Sequence, residues 1–215
     1  MRAWARGIEV IPRNDFDVDP DLPPEATFWT PDAATLRGGA LGFFRDAWQI
    51  SPLGGADLAA LLAEEHSLAE LCSSLTDSVE DFDAVAGAIE SCDWEALPDR
   101  VKPLAPPRLT PESIGDIPPL AGLEIGVAGL AHSLASIGCY PAASCRGHVG
   151  SRAWADRPVV FFAADRRLAE ALVRPVGSTG CGFSFDLDRS NLLVVEAPSI
   201  AEMMALAEQI AAIAS

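Results

Sequence analysis

The stretch that most constrains the fold covers residues 120–163, in which a helix-like periodicity changes to a strand-like pattern at a glycine. Apolar residues recur there at steps of three and four, namely Leu123, Val127, Leu130, Leu134 and Ile137. This spacing predicts a helix over residues 120–137, which Gly138 ends. Two short apolar runs follow, at residues 139–144 and 158–163, and each is typical of a buried strand.

The chain from residue 164 to residue 215 continues the alternation of helix and strand patterns. We expect a helix over residues 165–173, a loop over 175–180, strands over 182–187 and 192–197, and a last helix over 200–214. The resulting order is helix, strand, strand, helix, strand, strand, helix. It predicts an α+β fold, in which a four-stranded and mostly antiparallel sheet carries helices on one face.

The part of the chain before residue 120 differs in composition. Seven prolines lie between residues 98 and 119, and because proline fixes φ and removes a hydrogen-bond donor, this segment is predicted to be a semi-rigid connector. Residues 31–97 carry leucines at helical spacing and are predicted to form an acidic helical unit, preceded by an irregular acidic segment over residues 1–30. The predicted organisation is therefore a helical N-terminal unit, a connector, and an α+β domain over residues 120–215.

Charge and cysteine content narrow the class of protein. The net charge is −16, and residues 1–119 hold 8 basic and 22 acidic residues, whereas residues 120–215 hold 7 and 9. Because like charges repel, this balance argues against binding to nucleic acid or to an anionic membrane surface. The most apolar segment, residues 120–138, contains Glu124 and His132, so we expect no membrane span. Five cysteines without dense spacing do not describe a disulfide scaffold, and the N-terminus lacks the apolar run of a signal peptide, so we expect a cytoplasmic protein.

The segment after the first predicted strand combines reactive side chains with a glycine. It reads Ser-Cys-Arg-Gly-His at residues 144–148 and lies at a strand end, where scaffold gives way to exposed loop. Cys145 and His148 are the candidate catalytic residues, because a thiol and an imidazole provide a nucleophile and a base. Guanidinium groups bind carboxylate or phosphate, and glycine lets the backbone approach a ligand. The candidate ligand-binding residues are therefore Ser144, Arg146, Gly147 and Arg152.

Three chemistries compete for this loop. A zinc site would draw on Cys139, Cys145, His148 and Cys181, but an extended strand separates the first two by roughly 20 Å. Donor atoms on one zinc lie within about 4 Å of each other. The remaining three residues could still meet but form an incomplete set, so we assign no metal ligands. A thiol nucleophile lacks an identifiable third group that would orient the imidazole.

Binding of a small anionic or nucleotide-like ligand at residues 144–148 is therefore the predicted function. A protein-interaction module that uses the acidic helical half to hold a protein partner is one alternative. An enzyme that depends on a Cys/His thiol or on zinc is the other.

The C-terminal pattern resembles a group of uncharacterised bacterial proteins. The resemblance is carried by the helix, Gly138, the strand, the Ser-Cys-x-Gly-His loop at residues 144–148, and Pro-Val-Val-Phe-Phe at residues 158–162. It covers about residues 120–215. These proteins have no established activity, so the resemblance implies a bacterial source and carries no function over.

Overall fold

The computed structural model of the chain describes residues 15–32, 50–104, 119–148, 155–186 and 192–214. Within these ranges lie five α-helices: α1 (Gly55–Leu75), α2 (Val79–Glu90), α3 (Ala128–Ser136), α4 (Arg166–Thr179) and α5 (Ile200–Ala214). They also contain four strands: β1 (Tyr140–Cys145), β2 (Val159–Ala163), β3 (Gly182–Asp186) and β4 (Leu192–Glu196). The predicted α+β fold is confirmed.

The four strands form one antiparallel sheet in the order β1-β2-β4-β3. Its register places Cys145 opposite Val159, Val159 opposite Glu196, and Glu196 opposite Gly182. These residues form a row that crosses the sheet at one end of the strands. Along this row the edge strands β1 and β3 lie three strand spacings apart, about 14 Å. This distance matters for which residues can meet at the site.

One face of the sheet packs against helices. Alternating residues of the central strands, such as Val160 and Phe162 of β2, share a buried cluster with residues of α3, α4 and α5. The residues between them, such as Val159 and Phe161, lie in a separate cluster on the opposite face with Cys145. This division follows from the period of two in a strand, which sends successive side chains to opposite faces.

A second cluster of buried residues joins the N-terminal helices to the later part of the chain. Phe82, Val85 and Ile89 of α2 pack in it together with residues of α1, α3 and α5 and with Ile125. The predicted units over residues 31–97 and 120–215 therefore share this cluster. None of the helices in the described ranges is long and apolar enough to cross a lipid bilayer.

The predicted helix over residues 120–137 is wrong in its first half, because α3 covers only the second half. Leu120 and Ala121 have positive φ values of 54° and 56°, a left-handed conformation that an α-helix of L-residues does not contain. Further along, Gly126 has a φ of 95° and donates its backbone N–H to the carboxylate of Glu65. A side-chain acceptor from α1 thus takes a hydrogen bond that helix periodicity alone would assign to the backbone.

The predicted loop over residues 175–180 is also wrong, because α4 continues through Pro175 to Thr179. A proline inside a helix removes a backbone hydrogen bond and costs about 3 kcal/mol or more. Pro175 and Val176 are both buried against the core, and that burial opposes the cost. Gly180, with a φ of 78°, ends the helix as a left-handed cap.

Candidate functional site

Residues 144–148 leave β1 and turn sharply at Gly147. The φ of Gly147 is 84°, and a Cβ atom on it would lie 2.7 Å from the backbone of Arg157. Only glycine combines that conformation with so close an approach of two backbones. The backbone N–H of His148 then donates to the carbonyl of Ala155 at 3.1 Å, which closes the loop. The turn directs the His148 ring back toward Cys145 at the strand end.

Three side chains with metal-ligating atoms converge at this turn. One donor atom each from Glu124, Cys145 and His148 lies within 4.8 Å of the other two. Cys145 is fully buried, whereas the side chains of His148 and Glu124 are 28% and 30% exposed. Glu124 comes from the turns that precede α3, so the cluster joins two segments that are distant in sequence.

The imidazole of His148 lies between two carboxylates. Its Nδ1 is 2.7 Å from Oδ1 of Asp83 on α2, and its Nε2 is 3.1 Å from Oε1 of Glu124. Hydrogen bonds with Asp83, with the Cys145 thiol and with Glu124 raise the pKa of His148 to about 12. With these neighbours, the ring is therefore an imidazolium across the ordinary pH range.

Arg146 is buried and paired with acids of the protein itself. Its side chain is 2% exposed, and its guanidinium contacts Asp83 at 2.8 Å and Glu90 through the other amino group. Although burial opposes the charged form, the nearby carboxylates, led by that of Glu90, raise the pKa of Arg146 further. The guanidinium thus supports the cluster from inside rather than facing solvent.

The three carboxylates around these two cations titrate differently. Burial raises the pKa of Glu90 to about 7, against the opposing charge of Arg146. For Asp83 and Glu124 burial acts in the same direction, but hydrogen bonds and positive charge from His148 and Arg146 outweigh it and lower the pKa of each carboxyl. Asp83 and Glu124 are therefore carboxylates at neutral pH.

Each of the three converging side chains also has a further hydrogen bond, which for Glu124 and His148 is made by the atom that points away from the cluster. The second oxygen of Glu124, Oε2, accepts from the backbone N–H of Arg146 at 2.6 Å. The sulfur of Cys145 accepts from the backbone N–H of Gly147 at 3.3 Å. The outer nitrogen of His148 bonds to Asp83. The backbone of the Ser-Cys-Arg-Gly-His turn thus fixes two of the donors, and α2 fixes the third.

The other residues singled out from the sequence lie away from this cluster or outside the described residues. Ser144 is half-buried and precedes Cys145 on β1, so its side chain points to the opposite face of the sheet. Arg152 lies outside the described ranges. Cys181 adjoins Gly182 on the far edge strand, about 14 Å from Cys145 across three strand spacings. Cys139 packs in the cluster on the helix-covered face, opposite Cys145.

Sequence reasoning missed the acids of this site. Glu124 stands inside an apolar helical stripe, which is an unusual position for a charge and the one available signal. Asp83 and Glu90 are seven residues apart, which places both on one side of α2. That spacing is common on solvated faces as well, so the sequence could not distinguish them from other acids of the N-terminal half.

The chain matches no protein-family model, no curated protein and no solved structure. The role of the cluster is therefore inferred from its geometry.

Proposed function

We propose that this protein binds a divalent transition-metal ion, with zinc the best fit, at Glu124, Cys145 and His148. Thiolate sulfur, imidazole nitrogen and carboxylate oxygen are the three donor types that zinc takes in proteins. Zinc–ligand distances of about 2.0–2.3 Å place donor atoms about 3.3–3.8 Å apart in a tetrahedral site. The three donors lie within 4.8 Å of one another before any ion draws them together.

The observation that carries this proposal is the set of outer hydrogen bonds. Metal-ligating side chains are usually oriented by a partner on the atom that does not bind the metal. Asp83 holds Nδ1 of His148, the Arg146 N–H holds Oε2 of Glu124, and the Gly147 N–H supports the sulfur of Cys145. Glu124 and His148 are thus oriented through the atom that would not bind the ion, and an N–H···S contact holds the single donor atom of Cys145.

The local charge also supports a cation. Asp83, Glu90 and Glu124 contribute three carboxyl groups, against the single guanidinium of Arg146 and the imidazole of His148. Carboxylates that are partly removed from water need a positive partner, because desolvation of an unpaired charge is costly. His148 supplies this charge as an imidazolium, and a divalent ion that displaces its Nε2 proton would take over that role beside Glu124.

Three protein donors leave one position of a tetrahedral ion open, as in catalytic zinc sites and unlike closed structural ones. The side chains of Glu124 and His148 are partly exposed, whereas Cys145 is buried, so the open position would face solvent on the side of the first two. Zinc lowers the pKa of a bound water to about 7. The reaction class that this arrangement supports is metal-assisted hydrolysis.

The other predicted functions stay predictions, and the contacts favour them less. A small anion at residues 144–148 would meet the carboxylates of Asp83 and Glu124, while the guanidinium of Arg146 already has acidic partners. Cys145 as a nucleophile would have to become accessible, because it is fully buried. The same residues therefore act as ligands in the proposal instead of as nucleophile and base. We also place the protein in a reducing compartment such as the bacterial cytoplasm, which suits five cysteines that form no disulfide bond with one another.

The proposal is tested by cobalt substitution, since Co²⁺ adopts zinc geometries and reports its ligands by absorption. The purified chain is stripped with a chelator and titrated with Co²⁺. We expect one ion per chain, with a thiolate-to-cobalt charge-transfer band that Cys145→Ser abolishes. Cys181→Ser is the matched control, because that thiol is equally buried but distant, and it should leave the band intact. A titration without this band, or a band that survives Cys145→Ser, would contradict the proposal.

A further inference from the structure

Asp83 makes two contacts through a single carboxylate oxygen. Its Oδ1 lies 2.7 Å from Nδ1 of His148 and 2.8 Å from one amino group of Arg146. Asp83 belongs to α2, whereas both partners belong to the turn after β1. It is 65 residues away from His148 in sequence. The contact therefore links the N-terminal helices directly to the proposed metal site.

An imidazole can ligate a metal through one nitrogen only when the proton resides on the other. Which nitrogen is free is set by the hydrogen bond that the other nitrogen makes. Here Nε2 faces Glu124 at 3.1 Å, and Nδ1 faces the carboxylate of Asp83. Both partners are carboxylates and can only accept, so both nitrogens carry a proton while no ion is bound. An ion held by Glu124 and Cys145 would displace the proton of Nε2, and the Asp83 carboxylate would keep the proton on Nδ1. Nε2 is then the nitrogen available to the ion.

We infer that Asp83 is the positioning residue of this metal site, fixing the ring and the tautomer of His148 so that Nε2 ligates the ion. The inference rests on the proposed function. It also explains the buried arginine: one amino group of Arg146 holds the Asp83 oxygen in place, and the other is held by Glu90. The side chain of Arg146 thus acts on the site through Asp83, whereas its backbone N–H holds Glu124.

Calorimetric titration of the full chain with ZnCl₂ tests the inference. Loss of an outer carboxylate partner typically weakens metal binding by about 10–100-fold. We expect Asp83→Ala to lie at the upper end of this range. Asp83→Asn should be weakened less, about tenfold, because its amide oxygen can still accept from Nδ1. Asp81→Asn is the matched control on the same helix, where the carboxylate pairs with Arg100, and it should bind within about twofold of the wild type.

Glu90→Gln separates positioning of His148 from general support of Arg146. It removes the charge of the other partner of the guanidinium but leaves the acceptor of His148 in place. We expect it to weaken zinc binding clearly less than Asp83→Ala does. An equal loss in the two variants would overturn the inference, because the effect would then pass through packing of Arg146.

The ring of His148 offers a readout that a purely structural role would not change. The chain has three histidines, so the ¹⁵N signals of the ring can be assigned with single His→Gln variants. In the zinc-loaded wild type Nδ1 should carry the proton and Nε2 the metal. This preference should weaken in Asp83→Ala and, to a smaller extent, in Asp83→Asn, which provides the measurement if the alanine variant fails to fold. If both Asp83 variants bind zinc within about twofold of the wild type, the positioning role is refuted while the metal site stands. If the wild type binds no zinc, the proposed function fails and the inference fails with it.

Discussion

A single methyl group added at Gly129 tests the packing that brings the N-terminal helices to the site. Gly129 lies in the first turn of α3 and donates its backbone N–H to Oε2 of Glu65 at 3.0 Å. An alanine Cβ at this position would overlap with that carboxylate and lie 2.6 Å from Cδ2 of Leu62. Glu65 is 1% exposed, so it has no room to move into water without opening the interface of α1 and α3.

The size of the effect follows from three contributions. Forcing a methyl group into a packed interface costs about 1–3 kcal/mol. Above its raised pKa of about 7 Glu65 is charged, and disturbing a hydrogen bond to a charged group costs about 1.5–3 kcal/mol more. Alanine gains about 1 kcal/mol over glycine as a helix former. We therefore expect Gly129→Ala to lower the free energy of unfolding by about 1.5–5 kcal/mol.

Gly87→Ala is the matched control, because Gly87 is also a helical glycine but a Cβ added there would have no atom within 4 Å. It should gain about 0.5–1 kcal/mol from helix propensity alone. Urea denaturation of the three proteins under identical conditions provides the comparison, with the slope of the transition monitored for constancy. If Gly129→Ala is as stable as Gly87→Ala, the close contact of Glu65 with α3 is refuted.

Two further predictions concern buried groups whose titration links stability to pH. Burial raises the pKa of Glu65 to about 7, against the N–H groups of Gly129 and Gly126 that lower it. The folded state therefore holds a proton that the unfolded state releases near pH 4.5, and stability falls by about 3 kcal/mol as pH rises from there to 7. Glu65→Gln should remove this dependence on pH. The difference in unfolding free energy between the wild type and the variant should therefore shrink between pH 5 and pH 8 in urea titrations, and a constant difference would contradict the prediction. Burial lowers the pKa of His132, whose two ring nitrogens have no hydrogen-bond partner among the residues that the structure describes. The contribution of His132 to folding stability is present above the unfolded pKa of about 6.5 and is lost as pH falls. His132→Leu should therefore lose less stability than the wild type on acidification. An identical dependence of stability on acid pH in the two proteins would count against this prediction.

The α+β fold was accessible from sequence because each element of the C-terminal part has a local signal. Val160 and Phe162 lie in a continuous apolar run that is typical of a buried strand, and Gly138 marks the end of α3 with a φ of 93°. The start of α3 was not accessible in this way. Leu120 and Ala121 adopt a left-handed conformation that L-residues disfavour, so no local preference predicts it.

The site shows the same division between local and distant information. The convergence of Cys145 and His148 is a local property, since two residues separate them on one tight turn. Their acidic partners depend on how distant segments pack: Asp83 and Glu124 lie 65 and 24 residues from His148. The prediction that Arg146 binds an anion did not take into account the acidic side chains around its guanidinium. The paired acids on α2 become visible only when that helix is placed against the turn.

The most direct test of the metal site is a crystal structure of the zinc-soaked protein with anomalous differences measured at the zinc edge. We expect one strong peak bonded to Sγ of Cys145, Nε2 of His148 and Oε1 of Glu124, at about 2.0–2.3 Å from each atom. Nδ1 of His148 should keep its contact with Asp83. A map in which these three donors have no peak, or in which zinc binds elsewhere while they retain their direct hydrogen bonds, would contradict the proposed metal site.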